Sequence, residues 1–404
     1  MNHGPQGEQG GADVNRAGLA ALIICGLFIT IGLFSPGLVL PQIERSFAAT
    51  PHAPLLTELV GTLASFAFAI GSPFAGMLVA RFGCRRVILP SLVAFAITGA
   101  APALLNDLWP ILVARVGIGL SLSGIFTGAL GGIGALKPDV RARMFGWFSV
   151  AGGSSAIILF PLIGALGHLG WRPAFVVNLA SLIAVPFVLL LPATLGRVQR
   201  SAHGDSVRAA EGSLLNPAMV GLLLLAALTG MGMLVGAIYA PLYLSSTGIT
   251  DTRLLAIPVT IGSIASVITS ASYGAVHRRL GMMGICVLVL LVMGGAMIFA
   301  GLTTDFVPFT VAIVLFSGMI ALMSPNVNAC ALAVSPPSKA AQAIGLANGV
   351  MFGSQLIFPF VASWVRGMAG LSGVFITFGC TMAVAGLLAA MASRARRTPR
   401  SALA

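Results

Sequence analysis

The sequence predicts an all-α polytopic membrane protein: twelve transmembrane helices in two pseudo-symmetric six-helix bundles. Three observations carry this. Of the 404 residues, 57% are hydrophobic and only 8% charged, and mean hydropathy is +1.01, far outside the range of a soluble domain. The apolar residues gather in runs near the roughly 20 residues that a helix needs to cross a bilayer. The second half of the chain also echoes the first. Gly76 to Gly83 and Gly274 to Gly281 each bracket a basic turn, and Pro41 and Pro241 sit near the far end of the first helix of each half.

Breaks at charges and at Pro or Gly clusters place spans near 17–39, 55–80, 87–105, 109–135, 144–167 and 172–192, then 216–244, 253–275, 282–302, 307–333, 341–364 and 371–392. The organisation is then a polar tail over 1–16, an N-terminal bundle over 17–192, a linker over 193–215, a C-terminal bundle over 216–392 and a basic tail over 393–404. The linker carries Arg197, Arg200, His203, Asp205, Arg208 and Glu211. The first segment lacks the order of a cleaved signal peptide, so the first apolar run is expected to remain as a span.

The net charge of +12 does not point to nucleic acid. Lys and Arg cluster in alternate loops and tails, among them Arg81, Arg85, Arg86, Lys137, Arg141, Arg143, Arg278 and Arg279. The opposite loops hold only Arg45, Arg172, Arg253 and Arg366. This asymmetry puts both termini on the cytoplasmic side of an inner or plasma membrane. Cys25, Cys84, Cys286, Cys330 and Cys380 have no metal-site or disulfide spacing and read as packing residues. No cofactor is expected, and the chain lacks a Gly-x-x-x-x-Gly-Lys-Ser/Thr loop, so energy must come from an ion or solute gradient.

Arg115 is the one basic residue deep inside a span. A guanidinium at the bilayer centre costs about 2.5–3.5 kcal/mol on insertion scales, so it faces a bundle interior or a watery cavity. Its helix is rich in glycines, whose spacing at Gly124, Gly128 and Gly132 allows close backbone approach. Of the ten acids, Glu58 alone falls within a span. A Glu58–Arg115 pair, charged in one access state and protonated on Glu58 in the other, is one reading. A second makes Glu58 an interfacial anchor and Arg115 an interhelical bracket on carbonyls. The residues expected to line a substrate cavity are polar but uncharged: Gln42, Ser123, Thr127, Asn178, Tyr239, Tyr243, Asn326, Asn328, Asn348 and Gln355, with Phe66, Phe126, Phe352 and Phe358 as apolar walls. For each, helix-to-helix hydrogen bonding is the competing reading.

Gly76, Arg81, Gly83, Arg85 and Arg86, with Gly274, Arg279 and Gly281 in the second half, form a candidate gating loop and its repeat. The first group resembles the Gly-x-x-x-Asp-Arg-x-Gly-Arg-Arg loop of the major facilitator superfamily. Arg115, Gly117 and Gly119 resemble the fourth-helix signature of its drug:proton antiporter branches. Gly152, Gly153, Pro161 and Gly164 resemble part of the fifth-helix signature, with Phe160 and Ala165 where glycines are usual. Trp171, Arg172, Phe175 and Asn178 resemble the pattern at the turn into the sixth helix. The likeness spans about 17–392. It implies a monomeric secondary transporter that works by alternating access, with a small-molecule substrate, protons and the lipid bilayer as partners. Ala80 stands where the family's latching acid belongs, which implies a weaker inner latch held by arginine contacts to carbonyl ends of helices.

The resemblance implies proton-coupled efflux of a hydrophobic or amphiphilic compound. Uptake of a small organic anion held by an unpaired Arg115 is the alternative within transport. A non-transporting receptor is the alternative outside it. A membrane enzyme is disfavoured because His3, His52, His168, His203 and His277 fall in loops or tails without catalytic or metal-ligand partners. A channel is disfavoured because no filter loop repeats.

Overall fold

The computed structural model describes residues 14–196, 216–335 and 340–395. The tail over 1–13, the linker charges from Arg197 to Glu211, Lys339 and the residues beyond 395 lie outside the described residues. Among those described there is no strand, and ten helices are long and apolar enough to cross a membrane.

In chain order these begin with α1 (Arg16–Ser46), α2 (Ala53–Phe82), α3 (Cys84–Leu104), α4 (Leu108–Gly134), α5 (Pro138–His168), α6 (Trp171–Leu189) and α7 (Pro217–Ser246). The next stretch, Thr252–Leu302, has 51 residues. At 1.5 Å per residue that is roughly 75 Å, more than twice the hydrocarbon thickness. It breaks at Gly281, where φ is 67° and ψ 176°, giving α8 (252–280) and α9 (282–302). After α10 (Phe306–Val334), the stretch Ala340–Ala395 breaks in the same way at Gly370 (φ 68°, ψ −173°), giving α11 (340–369) and α12 (371–395). Ten long helices are therefore twelve spans. α11 runs on through Arg366, beyond the apolar limit at 364 read from the sequence, so Arg366 belongs to a helix and not to a loop.

The pseudo-symmetry is visible in the backbone. Gly83 (φ 87°, ψ 159°) and Gly170 (φ 125°, ψ 165°) make the turns in the first half that Gly281 and Gly370 make in the second. This region of backbone space is essentially open to glycine alone. Asn15 caps α1 by accepting from Gly18 N at 2.7 Å, and Asn216 caps α7 by accepting from Met219 N at 2.7 Å. Both capped helices are interrupted at matching places. α1 passes through a 3₁₀ turn at Gly37–Val39, and α7 through a π turn at Val235–Tyr239.

These interruptions meet each other. A Cβ added at Gly37 would overlap the carbonyl oxygen of Ala237, and Arg45 donates to Ser245. Residues 37 and 237, and 45 and 245, share one numerical offset, so the two-fold axis relating the bundles runs between α1 and α7.

The bundles touch unevenly along their length. At the end that carries Glu58, Leu38, Ile43, Val60 and Phe160 share one buried cluster with Ile238, Leu242, Val259 and Phe358. The buried members of the second cluster, among them Leu22, Cys25, Ile125 and Leu195, all come from the first half. Along α5, Cβ atoms added at Gly167 and Gly164 would press on Thr252 and Ala256 of α8. One at Gly153 would only reach Val267 at 4.0 Å, and one at Gly146 would meet nothing within 4 Å. The molecule is closed at the Glu58 end and parted along α5 and α8 toward the Gly83 end.

Candidate functional site

Arg115 is only 1% exposed. Its Nε donates to the carbonyl of Val60 at 2.8 Å, and one terminal nitrogen donates to the carbonyls of Gly32 at 2.9 Å and Leu33 at 3.3 Å. The Gly32 carbonyl is available for a sequence reason: its helical partner four residues on would be the N–H of residue 36, and residue 36 is a proline. Arg115 therefore ties the broken end of α1 and the middle of α2 to α4. Gly119, one turn on, packs so close to the Ala64 carbonyl of α2 that a Cβ would overlap it.

This corrects the expected Glu58–Arg115 pair, which does not form in this conformation. Glu58 and Val60 are about 200° apart around α2, so the face that meets Arg115 is not the face that carries the carboxylate.

Glu58 turns toward the other bundle. It is 0% exposed. Tyr239 donates its hydroxyl to Oε2 at 2.8 Å, and Arg366 lies 3.3 Å from Oε1. The same guanidinium meets Glu44 Oε1 at 2.6 Å. One cation thus bridges two carboxylates, joining α11 to both α1 and α2, with α7 supplying the tyrosine. The Tyr239 ring is held edge-on by Phe358 at 5.0 Å, and Phe358 by Phe378 at 4.9 Å.

The two arms differ in worth. The Glu44 arm is partly in water, with side chains 21% and 23% exposed, and such pairs contribute at most about 1 kcal/mol. The Glu58 arm is buried at its acid end, and removing one partner of a buried pair costs about 3–5 kcal/mol.

A cavity of about 270 Å³ lies between the bundles, beyond this clasp. Thr30 and Phe34 of α1 and Gly152, Gly153 and Phe160 of α5 face Met233 of α7, Ser263 and Ser266 of α8, and Phe316, Ser317 and Ser324 of α10. No charged residue lines it. Its hydroxyl protons are directed at backbone: Thr30 to the Gly152 carbonyl at 3.0 Å, Ser263 to Val259 at 2.8 Å, and Ser266 to Gly262 and to Ser317, each at 2.9 Å. What the oxygens of Thr30, Ser263 and Ser266 have left to offer a ligand is lone pairs.

None of the polar residues expected to line a substrate cavity lines this one, because most have hydrogen-bonded to a neighbouring helix or to their own. Gln42 donates to the Gly167 carbonyl and to Thr252, both at 2.8 Å, sealing α1 against α5 and α8. Ser123 returns to the Leu120 carbonyl, and Thr127 lies beside Gly76. Asn178 bonds the Gly99 and Phe175 carbonyls, and Tyr243 bonds the Thr303 carbonyl. Asn326 donates to the Met282 carbonyl and the Cys286 sulfur, while Asn348 bonds Asn328. Gln355 reaches the sulfur of Met233, a lining residue, at 3.9 Å. Phe126 and Phe352 both stack edge-on against Phe68, at 5.5 and 5.4 Å, and Tyr239 belongs to the clasp.

The gating-loop residues make their turn through Gly83, whose Cβ would strike the Ala193 carbonyl at 2.6 Å. Cys84 N donates to the Leu195 carbonyl at 2.8 Å, and Arg85 reaches the Leu191 carbonyl at 3.4 Å. Arg81 lies over the Phe82 ring, and Arg86 is exposed. The Arg85 contact is of the arginine-to-carbonyl kind expected beside Ala80, but it joins α3 to the chain after α6 within one bundle. In the second half, Gly274, Arg279 and Gly281 occupy the equivalent turn between α8 and α9.

Sequence reasoning missed Glu44, Arg366 and the serines of α8 and α10. The signal for Arg366 was that it is the one charge between Lys339 and Arg394 in an otherwise apolar stretch. The serines carry no such signal, because each is also a routine helix-surface residue.

The profile of the Major Facilitator Superfamily matches residues 22–359. Over 202 residues the chain is 32% identical to the multidrug resistance protein MdtG of Citrobacter koseri, an alignment covering 48% of this chain and 49% of that protein. The chain thus spans about half the length of the curated relatives it matches. Among solved structures, a D-xylose–proton symporter superposes with a TM-score of 0.78 at 15% identity, covering 92% of this chain and 96% of that one. A nucleoside transporter superposes with a TM-score of 0.73 at 14% identity, covering 94% of this chain and 100% of that one. At those identities the likeness is one of fold.

Proposed function

We propose, since the chain belongs to the major facilitator superfamily, that it exports a hydrophobic or amphiphilic small molecule in exchange for protons, by alternating access. The observation that carries this reading is the uncharged cavity between the bundles. Its aromatic faces, methionine and small hydroxyls suit a lipophilic compound with a few hydrogen-bonding groups of its own, and cationic character is tolerated there. The relatedness to proteins named for multidrug resistance supports the same direction.

Glu58 is the proton site in this reading. Among the described residues it is the one carboxylate fully buried inside a span, and a protonatable acid in such a place is a functional group by default. The charge asymmetry of the loops makes the Glu58 end the outer one, with both termini cytoplasmic. The alternative of anion uptake loses its recognition group, because Arg115 is committed to carbonyls and does not line the cavity.

The test is transport in proteoliposomes with a fluorescent lipophilic cation and an imposed pH gradient. The wild-type protein is expected to move the dye against the proton flow. Glu58→Gln is expected to lower proton-driven flux by about tenfold or more; full coupled flux in that variant removes Glu58 as the carrier. Ser263→Leu, which fills the cavity from α8, is expected to cut dye transport by about tenfold, with helical content unchanged by circular dichroism.

A further inference from the structure

The clasp at the closed end holds more than the proton site. Glu58 has no exposure, and the groups that face it come from three other helices: Tyr239 on α7, Arg366 on α11 and Glu44 on α1. The charge nearest on α4 is Arg115, whose Nε and one terminal nitrogen donate to the carbonyls of Val60, Gly32 and Leu33, while its other terminal nitrogen is buried without a partner and makes no contact with Glu58. Arg45 is turned to Ser245. Among the described residues Arg366 is thus the single cation that meets Glu58, and it comes from the opposite bundle.

A buried carboxylate needs a counter-charge when ionised and none when protonated. An exchanger must occlude in both conditions, since it crosses once with its proton and once without. We propose that Arg366 is the positioning residue that lets the Glu58 end close over an ionised Glu58, so that this closure does not require a proton. The inference rests on the exchange reading for its purpose but not for its physics, which follows from the contacts alone.

The geometry supports a dedicated role. Arg366 holds Glu44 with the shorter contact, 2.6 Å, and that pair stands partly in water. Glu44 therefore keeps the guanidinium aimed at the seam whether or not Glu58 is charged. Tyr239 occupies the other oxygen of Glu58, leaving Oε1 for the arginine. Without Arg366, closure would bury the ionised Glu58, with Glu44 beside it on the same bundle, under the opposite bundle with no cation to meet it.

The expected behaviour has a definite sign. In Arg366→Gln, the Glu58 end closes only where Glu58 carries a proton, so it is shut in acid and open in alkali. The wild-type end closes at both. Glu58→Gln/Arg366→Gln has no charge to strand and closes at both again, and Arg366→Lys keeps closure because the charge remains. The measurement is the distance between spin labels at the exposed Ala49 and Ala369, by double electron–electron resonance on full-length protein in nanodiscs, at about pH 5.5 and about pH 8.5. Arg366→Gln should add an open population at the higher pH that vanishes at the lower one and in the double variant. An Arg366→Gln distribution equal to wild type at both pH values overturns the proposal, as does an opening that the double variant does not reverse. If the labels respond as expected while Glu58→Gln alone retains full proton-driven flux, the clasp stands and the proton-carrier role of Glu58 falls.

Discussion

Arg115→Leu should unfold at markedly lower denaturant or temperature than the wild type, by about 3–5 kcal/mol in stability. The guanidinium makes three contacts to main-chain carbonyls on two other helices, and one of those carbonyls has lost its helical donor to Pro36. Leucine leaves all three acceptors without that donor in a setting with no water to take its place. Arg115→Lys should recover roughly half the loss, because an ammonium keeps the charge but cannot span the fork of three acceptors. Thermal denaturation in detergent, followed by tryptophan fluorescence or by size-exclusion profile, checks both. Wild-type stability in Arg115→Leu with loss of transport alone would return Arg115 to the role of a substrate or proton group.

Two glycine substitutions should separate the closing of the bundles from their folding. A Cβ at Gly37 overlaps the Ala237 carbonyl of the other bundle, and a Cβ at Gly230 overlaps the Met351 carbonyl within its own. Gly37→Val can relieve its overlap by parting the bundles at the Glu58 end, a movement that alternating access requires. It should fold with near-normal stability, remain open at that end and lose nearly all transport. Gly230→Val has no such escape, because α7 and α11 belong to one bundle, and it should lose at least about 1–3 kcal/mol of stability. Expression level and denaturation midpoint, set beside dye transport, tell the two outcomes apart. Equal destabilisation in both would mean that the Gly37 contact is a fixed part of the fold and not a seam.

The fold was legible because its determinants are local. Each span needs a run of apolar residues, and each hairpin turn at Gly83, Gly170, Gly281 and Gly370 needs a residue free of Cβ; both requirements are written one stretch at a time. The site was less so because its partners come from different helices. Glu58 and Arg115 stand out as isolated charges, yet depth alone pairs them, and the facing of α2 decides against it. The acceptors for Arg115 are main-chain atoms, invisible in a list of side chains except through the proline that frees one of them. Most of the polar residues singled out for the cavity were large ones, and large amides reach a neighbouring helix. The polar groups left facing the open space are short hydroxyls.

If the two bundles rock about the α1–α7 seam, paired distances across their two ends show it most directly. One label pair spans the Glu58 end, at Ala49 and Ala369; the other spans the parted region, at Trp147 on α5 and Ile268 on α8. Under conditions that shift the population, such as Gly37→Val or addition of a transported dye, the first distance should lengthen as the second shortens. Two distances that change together, or that stay fixed while the dye is moved, would contradict it.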